Sequence, residues 1–504
     1  MTFLRTVFRP LILLCLSAGA LAAARPFPPT VYDSLRHRSV IVFMDQLHSR
    51  LSDKEARFAA AHYVGTQKMR RQDIDLIRQY NENFLHWHYK LGVTVDSIAD
   101  YGMVLSGDWF SDNRSPLSNW GQVRTHPDWF LLNRQNQWVV HGGRRMVMDI
   151  SNAGFRQWWV DSCIEEMKAN GCDGVFADTY SIPAIFGRTT YPELFEDVNQ
   201  TINTWIPKLN DYGNYVFARL DSAGFYFFPN IDNLQTTWDN NAGTHYVKGD
   251  YLHGAMMESW GDWASVSDAT LAMNLAVAIQ KKGCFLHGEG YFGSGIDMNP
   301  SLTEAQKRMW LAGTYLLTNH GRMYLSMYGP DEESLGMSGR LLWYPEFEID
   351  LGAYTQEWSN LAQLLAPGGI FRRNFEKGFV LLNMADQSRT ASLGGTYYLA
   401  EDDGTTSRYW MEDDGTEHVG LKYTPVSSVV LPAISAAILL NEPPGCLQEP
   451  RGDFDGDGAL GAADVLEMVR AMLSGGSDPC LDFNSDSRAN ILDAVSLMIK
   501  LFHQ

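Results

Sequence analysis

The sequence predicts an α/β protein: a (β/α)8 barrel of the TIM type, then an all-β sandwich domain, then a small all-α module carrying two calcium-type loops. Three observations lead there. From about Arg25 to Pro330, short apolar runs alternate with amphipathic helical stretches, the order that builds a parallel sheet covered by helices. From Ile370 to Leu440 the helical period gives way to β-type runs, punctuated by Asp403-Gly404 and Asp414-Gly415, a dipeptide that favours tight turns. The C-terminus repeats one acidic loop and one apolar helix twice.

The chain opens on residues that read as a secretory signal, placed at 1–22. Arg5 and Arg9 make a positive start, Leu11–Ser17 is a short apolar core, and Ala20-Leu21-Ala22 is an A-x-A cleavage site. That core is too short for a membrane helix. Cys15 lacks the small residue expected before a lipoprotein cysteine. An exported, soluble mature protein is expected, with no membrane insertion.

The barrel is placed at 25–365. The runs that read as strands are Phe58–Val64, Phe84–Tyr89, Met146–Asp149, Gly174–Asp178, Gly224–Phe228, Gly254–Glu258, Cys284–His287 and Met323–Ser326. Helices are predicted over Arg70–Asn81, Ala153–Asn170, Tyr191–Leu209, Ala264–Lys282 and Thr303–Thr318. Eight such runs over this length match a TIM barrel. No G-x-G-x-x-G opens a helix, which argues against a dinucleotide fold.

The sandwich is placed at 366–441. Phe371–Asn383 reads as a hairpin turning at Glu376–Gly378, and Tyr397–Leu399, Ser407–Trp410 and Val429–Leu440 continue the β-pattern. Residues 442–450, with Pro443-Pro444, form a stiff linker.

The tail, 451–504, sets Asp453, Asp455, Asp457 and Asp464 at positions 1, 3, 5 and 12 of one loop. Asp482, Asn484, Asp486 and Asp493 repeat this, with Asn490 as a further oxygen. Calcium needs several oxygens, and alternate residues of a tight loop converge on one point. Two structural calcium ions are therefore predicted, and no cofactor for catalysis. Position 12 is Asp rather than the usual Glu, and Ser487 replaces the sharp-turn glycine that Gly458 supplies in the first loop. Apolar helices Val465–Leu473 and Ala494–Phe502 follow. This loop–helix–loop–helix pattern resembles a type I dockerin. The resemblance implies a cohesin-bearing scaffold or surface protein as partner. The positions that choose the partner in that family are Ala462-Ala463 and Ile491-Leu492 here, not the Ser/Thr pairs of the best-known members.

Net charge is −19, which makes nucleic acid and anionic membranes poor partners. Fifteen tryptophans and 22 tyrosines suit a sugar-binding cleft, since a pyranose presents an apolar C–H face, but a large aromatic core accounts for most of them. Six cysteines are too few for a disulfide scaffold. Cys163, Cys172 and Cys284 lie in apolar elements and are expected to be buried thiols. Cys446 and Cys480 flank the first loop and its helix, and a disulfide between them would staple the tail, contributing about 3 kcal/mol.

Barrel active sites lie at the C-terminal ends of the strands. A carboxylate that ends an apolar strand is costly to bury unless paired or used. Asp178 and Glu258 are the leading candidates; Asp149 and Glu289 end or follow two other runs. Cleaving a glycosidic bond takes two carboxylates, one protonating the leaving oxygen and one attacking the anomeric carbon or activating water. Asp178 is expected to be the nucleophile or base. Glu258 is expected to be the acid, with Met256, Met257 and Trp260 raising its pKa. Asp149-Ile-Ser-Asn152 also reads as a helix start.

His126–Phe130, Met148–Asn152 and Gly171–Asp178 together resemble barrel glycoside hydrolases, closest to the hypothetical glycosyl hydrolase family 15. Phe371–Asn383 and the closing run to Leu440 resemble the β-domain that follows many α-glycosidase barrels. The resemblance implies a glycan substrate and an Asp178 nucleophile ending strand four; for Glu258 and Glu289 it carries less. His62, His86, His88 and His287 sit in or beside predicted strands; any that face the rim would bind sugar hydroxyls, and a satisfied core histidine is the alternative for each. Among Trp109, Trp120, Trp129, Trp260 and Tyr291, one or two are expected to be stacking platforms. A non-catalytic glycan-binding barrel and a polysaccharide lyase or esterase are the alternatives. No G-x-S-x-G elbow supports a serine esterase, and no basic cluster near the strand ends supports a lyase.

Overall fold

The computed structural model describes residues 39–48, 50–97, 120–141, 143, 145–180, 198–231, 253–292, 298–329, 341–402, 421–442, 452, 454, 460–473, 481, 483 and 490–502. In chain order its first part is β1 (Val42–Gln46), α1 (Asp53–His62), β2 (Tyr63–Gln67), α2 (Arg71–Arg78), β3 (Leu85–Leu91), β4 (Thr94–Asp96), β5 (Val140–His141), β6 (Arg145–Val147), α3 (Ala153–Asn170), β7 (Gly174–Asp178), α4 (Val198–Ser222), β8 (Tyr226–Pro229), β9 (Gly254–Glu258), α5 (Val266–Lys281), β10 (Phe285–Tyr291), α6 (Glu304–Thr318) and β11 (Met323–Tyr328).

Eight strands pair in the order β8-β7-β3-β2-β1-β11-β10-β9, every pair parallel. A parallel bridge between Asn230 and Met256, with the Ile231 N–H on the Met256 carbonyl at 2.9 Å, joins the two ends into a barrel. Successive strand residues face opposite sides. Phe43, Trp87, Phe176, Phe228, Met256, Phe285 and Tyr324 point inward and fill the barrel, with Trp87 stacked on Phe228 at 5.6 Å between centroids. Gly254 is glycine because the Phe228 ring lies 2.1 Å from where a Cβ would stand.

Two strand expectations are corrected, and the errors offset each other. Phe58–Val64 is not all strand. Ser52 and Glu55 form a capping box, which starts α1 and carries it to His62 before the chain extends as β2. Met146–Asp149 is not a barrel strand, since β6 pairs antiparallel with β4 and β5 in a separate three-stranded sheet. The strand absent from the sequence reading is β1, whose Val42–Met44 is plainly apolar. Ala153–Asn170 forms as expected, capped by Asn152, whose side chain accepts from the Gly154 and Phe155 N–H groups, and closed by left-handed Gly171. Cys163, Cys172 and Cys284 are buried.

After the barrel come β12 (Leu365–Ala366), β13 (Ile370–Asn374), β14 (Gly378–Asn383), β15 (Arg389–Asp402), β16 (Leu421–Leu431) and β17 (Ser435–Leu440). They form one six-stranded antiparallel sheet. The run Val429–Leu440 is split between two strands by a turn at left-handed Ile434. The sheet doubles back on itself: Arg389, at the start of β15, donates to the Gly368 carbonyl at 2.6 Å, while Tyr398 and Leu399 pair with β17. Ile370, Phe379, Leu381, Leu393, Val429, Leu431 and Leu439 form the core thus enclosed, so the sandwich-like module comes from a single folded sheet. Its other face packs on the barrel at α6, where Gly313 leaves room for Ala436. Arg308 of α6 completes the join, bonding Glu346 at 3.0 Å and Asp402 at 2.5 Å.

The tail helices are α7 (Ala462–Leu473) and α8 (Ile491–Phe502), packed through Met468, Leu481, Ala494 and Leu497. No helix among the described residues is long and apolar enough to cross a membrane. The signal segment, Trp109, Ser407–Trp410, Cys446 and Cys480 lie outside the described residues.

Candidate active site

The alternation that buries the barrel aromatics also selects its rim. Counting by twos from Phe176, Phe228, Met256 and Phe285 brings Asp178, Asn230, Glu258 and Glu289 to the same inner side at the C-terminal end. Asp178 and Glu258 are the last residues of β7 and β9, and both are half-buried. Three donors hold Asp178: the Tyr89 hydroxyl on Oδ2 at 2.6 Å, the Thr179 N–H on Oδ1 at 2.7 Å and the Asn230 amide on Oδ1 at 3.1 Å. The same amide nitrogen donates to Glu258 Oε2 at 2.7 Å. Asn230 thus joins the two carboxylates predicted to do the chemistry.

Glu289 stands beside Glu258 in register on the neighbouring strand. It is only 2% exposed and accepts a hydrogen bond from the Tyr291 hydroxyl. Burial, then the charges of Asp45 and Glu258, push its pKa well above the usual carboxylate range. Two strands away, buried Asp45 near the end of β1 accepts from the Gln67 amide and from Lys68 Nζ, the latter at 2.6 Å. Burial raises the Asp45 pKa, with Lys68 opposing. Burial works against the Lys68 ammonium, but the charges of Asp45 and Glu289 outweigh it and raise its pKa. The ammonium lies 4.9 Å above the Tyr89 ring. Burial, then the Asp178 charge, pushes the Tyr89 hydroxyl far up, so it remains a donor. Tyr328 adds a hydroxyl that accepts from the Asp45 N–H at 2.7 Å.

Other predicted site residues fall elsewhere. His62 is at the opposite, N-terminal end of β2, stacked on Phe58 and bonded to the Phe58 carbonyl at 2.9 Å. His86 and His88 point out of the barrel wall. His86 meets the Cys172 thiol, and His88 bonds Glu166 of α3 at 2.7 Å, a carboxylate it shares with Lys90. Asp149 caps a turn, accepting from the Ser151 N–H at 3.0 Å. Trp260 is 0% exposed and packs outside the wall against Trp263 and the Gly288 backbone, so it is not a stacking platform. Met257 also packs on that outer side; of the apolar neighbours expected around Glu258, Met256 alone shares its face. Trp129 is buried and stacked on His126 at 4.0 Å. His287 faces inward one layer below Glu289, bonded to Ser326 at 2.8 Å. Burial, then Lys68, lowers its pKa to about 3, so it forms a neutral floor.

Asp45, Gln67, Lys68, Tyr89, Asn230 and Tyr328 were not singled out in the sequence. For four of them a signal existed: Asp45, Tyr89, Asn230 and Tyr328 continue the inward parity of Phe43, Trp87, Phe228 and Tyr324. Arg145 of β6 also reaches the rim, donating to the Thr179 hydroxyl at 2.8 Å. Two cations therefore stand near strand ends where the sequence shows no basic cluster.

In the tail, Asp464 and Asp493 are buried at matching places. Asp464 accepts from the Phe454 and Gly461 N–H groups, and Asp493 from that of Asn490. Asn490 in turn accepts from the Leu492 N–H. Asp453, Asp455, Asp457, Asp482, Asn484 and Asp486 lie outside the described residues.

The sequence profile described as hypothetical glycosyl hydrolase family 15 matches residues 106–379, just over half of the chain. Comparison with curated proteins finds no match. Among solved structures, a Paenibacillus cycloisomaltooligosaccharide glucanotransferase is similar at 11% identity and TM-score 0.35, over 79% of this chain and 54% of that one. A maltogenic α-amylase from Thermotoga neapolitana is similar at 9% identity and TM-score 0.36, over 81% of this chain and 100% of its own. An α-amylase from Geobacillus thermoleovorans is similar at 9% identity and TM-score 0.39, over 81% and 99%. This chain thus spans little more than half the length of the glucanotransferase. Likenesses this distant add nothing to the strand pairing, which defines the barrel by itself.

Proposed function

The chain belongs to the hypothetical glycosyl hydrolase family 15, and from that membership and the rim geometry we propose that it hydrolyses glycosidic bonds of an oligo- or polysaccharide with Asp178 and Glu258. The carrying observation is the Asn230 bridge between the two carboxylates. Asp178, fixed by three donors at the end of β7, is the nucleophile. Glu258 is the acid/base. It stands in register beside Glu289 on the neighbouring strand, held by the Asn230 amide.

One nitrogen bonded to both groups keeps Asp178 Oδ1 and Glu258 Oε2 closer than the roughly 6.5 Å at which inverting separations begin. Retention of configuration is the corresponding reading. A screen of the purified protein against a glycan panel, followed by NMR of the first anomer released, tests both points. A retained anomer is expected. An inverted first product refutes the nucleophile role, and binding without cleavage would favour a non-catalytic barrel.

For the tail we propose a calcium-stabilised dockerin-type module that attaches a secreted enzyme to a cohesin-bearing scaffold or surface. Buried Asp464 and Asp493 fit a cation-holding role. The exposure of Ile491 and Leu492, 63% and 56%, supports a partner-facing role. A pull-down with a cohesin panel in calcium, repeated in chelator, tests it; no capture in calcium removes the docking role.

A further inference from the structure

Three barrel strands end alike. Gln67, Asp178 and Glu258 close β2, β7 and β9, and the residue after each is left-handed without being glycine: Lys68 at φ 60°, Thr179 at 53° and Ser259 at 59°. Among the described residues only Arg50, Asn136 and Ile434 share this conformation outside glycine. It is disfavoured for any side chain and most of all for a β-branched one. Such backbone persists only where its surroundings hold it, and tends to mark functional sites.

Thr179 is the costliest of the three and has the clearest consequence. Its backbone turns the N–H back onto Asp178 Oδ1 at 2.7 Å, on the same oxygen that receives Asn230. Its hydroxyl, buried, receives Arg145 Nη1 at 2.8 Å. Arg145 comes from β6, in the small sheet inserted between β3 and β7. A continuous chain therefore runs Arg145, Thr179, Asp178, Asn230, Glu258.

We propose that Arg145 and Thr179 are positioning residues for Asp178, and that the inserted three-stranded sheet serves the reaction by delivering Arg145. The guanidinium pins the threonine hydroxyl, and the pinned left-handed residue aims its N–H at the nucleophile. Thr179 reaches the nucleophile only through its backbone N–H, and Arg145 acts only through Thr179. The inference rests on the glycosidase reading for its rate consequence, though not for its geometry.

The test compares full-length wild type with Thr179→Gly, Thr179→Ser and Arg145→Met. Each is examined by crystal structure, thermal unfolding, and kinetics on whichever aryl glycoside wild type cleaves. Glycine relieves the left-handed strain, so Thr179→Gly should unfold a few degrees higher while kcat falls at least about tenfold and KM stays within about twofold. Arg145→Met should lose kcat similarly, and Thr179→Ser should keep it. In both impaired variants the Asp178 carboxylate should have turned off Asn230. A residue serving only the turn would give a more stable, fully active Thr179→Gly, and that outcome overturns the proposal. If wild type cleaves no glycoside, the glycosidase reading fails by itself, and the two structures still decide: an unmoved Asp178 carboxylate overturns the positioning role.

Discussion

Asn230 donates one amide nitrogen to Asp178 at 3.1 Å and to Glu258 at 2.7 Å. A neutral donor between two carboxyl groups holds both in place without adding a charge of its own. Hydrogen bonds to charged groups contribute about 1.5–3 kcal/mol each. Asn230→Ala should therefore lower kcat/KM roughly 10- to 100-fold. An unchanged kcat/KM would show that the bridge has no part in setting the nucleophile.

Glu289 supplies a stability signature. Its pKa is raised in the folded protein by burial and by Asp45 and Glu258. Between the ordinary glutamate range and that raised value, the folded state holds a proton that the unfolded chain releases. Stability must then fall as pH rises through this window. Glu289→Gln, neutral throughout, should flatten the decline in unfolding midpoint as pH rises above the ordinary glutamate range. Parallel curves for variant and wild type would contradict the buried, proton-holding glutamate.

Arg308 joins the barrel to the β-module through Asp402, while Glu346 holds its other side. Removing one partner of a buried pair leaves an uncompensated charge and costs about 3–5 kcal/mol. Denaturant unfolding of Arg308→Met should show a loss of that order. A change under about 1 kcal/mol would place the pair with weak surface bridges.

Calcium should matter to the tail and not to the barrel. With chelator, limited proteolysis should cut selectively within 451–504, while glycan hydrolysis continues at its former rate. Equal protease resistance with and without calcium would remove the structural ions from the account.

The barrel was legible because apolar β-runs and amphipathic helices alternate, and the rim because parity fixes which strand-end carboxylates face inward. Asp178 and Glu258 follow from both. The strand count came out at eight although Met146–Asp149 stood in for β1, so Asp178 was still numbered fourth. What sequence missed depends on pairing between distant strands. Asn230 follows a proline and bridges by geometry alone, and Lys68 reaches the site only because its left-handed backbone redirects it. His88 and Trp260 show the converse: each lies within a residue or two of an inward site position, but on the other side of the wall. One step along a strand separates a ligand from a buried ion pair.

The most direct measurement is the hydrolysis rate of Asp178→Asn beside wild type, with unfolding midpoints recorded for both. The substitution keeps the shape and the contacts with Tyr89 and Asn230 while removing the nucleophile's charge. The account predicts a loss of at least about 10³-fold in kcat with the midpoint nearly unchanged. A folded Asp178→Asn protein that cleaves the same glycan near the wild-type rate would contradict it.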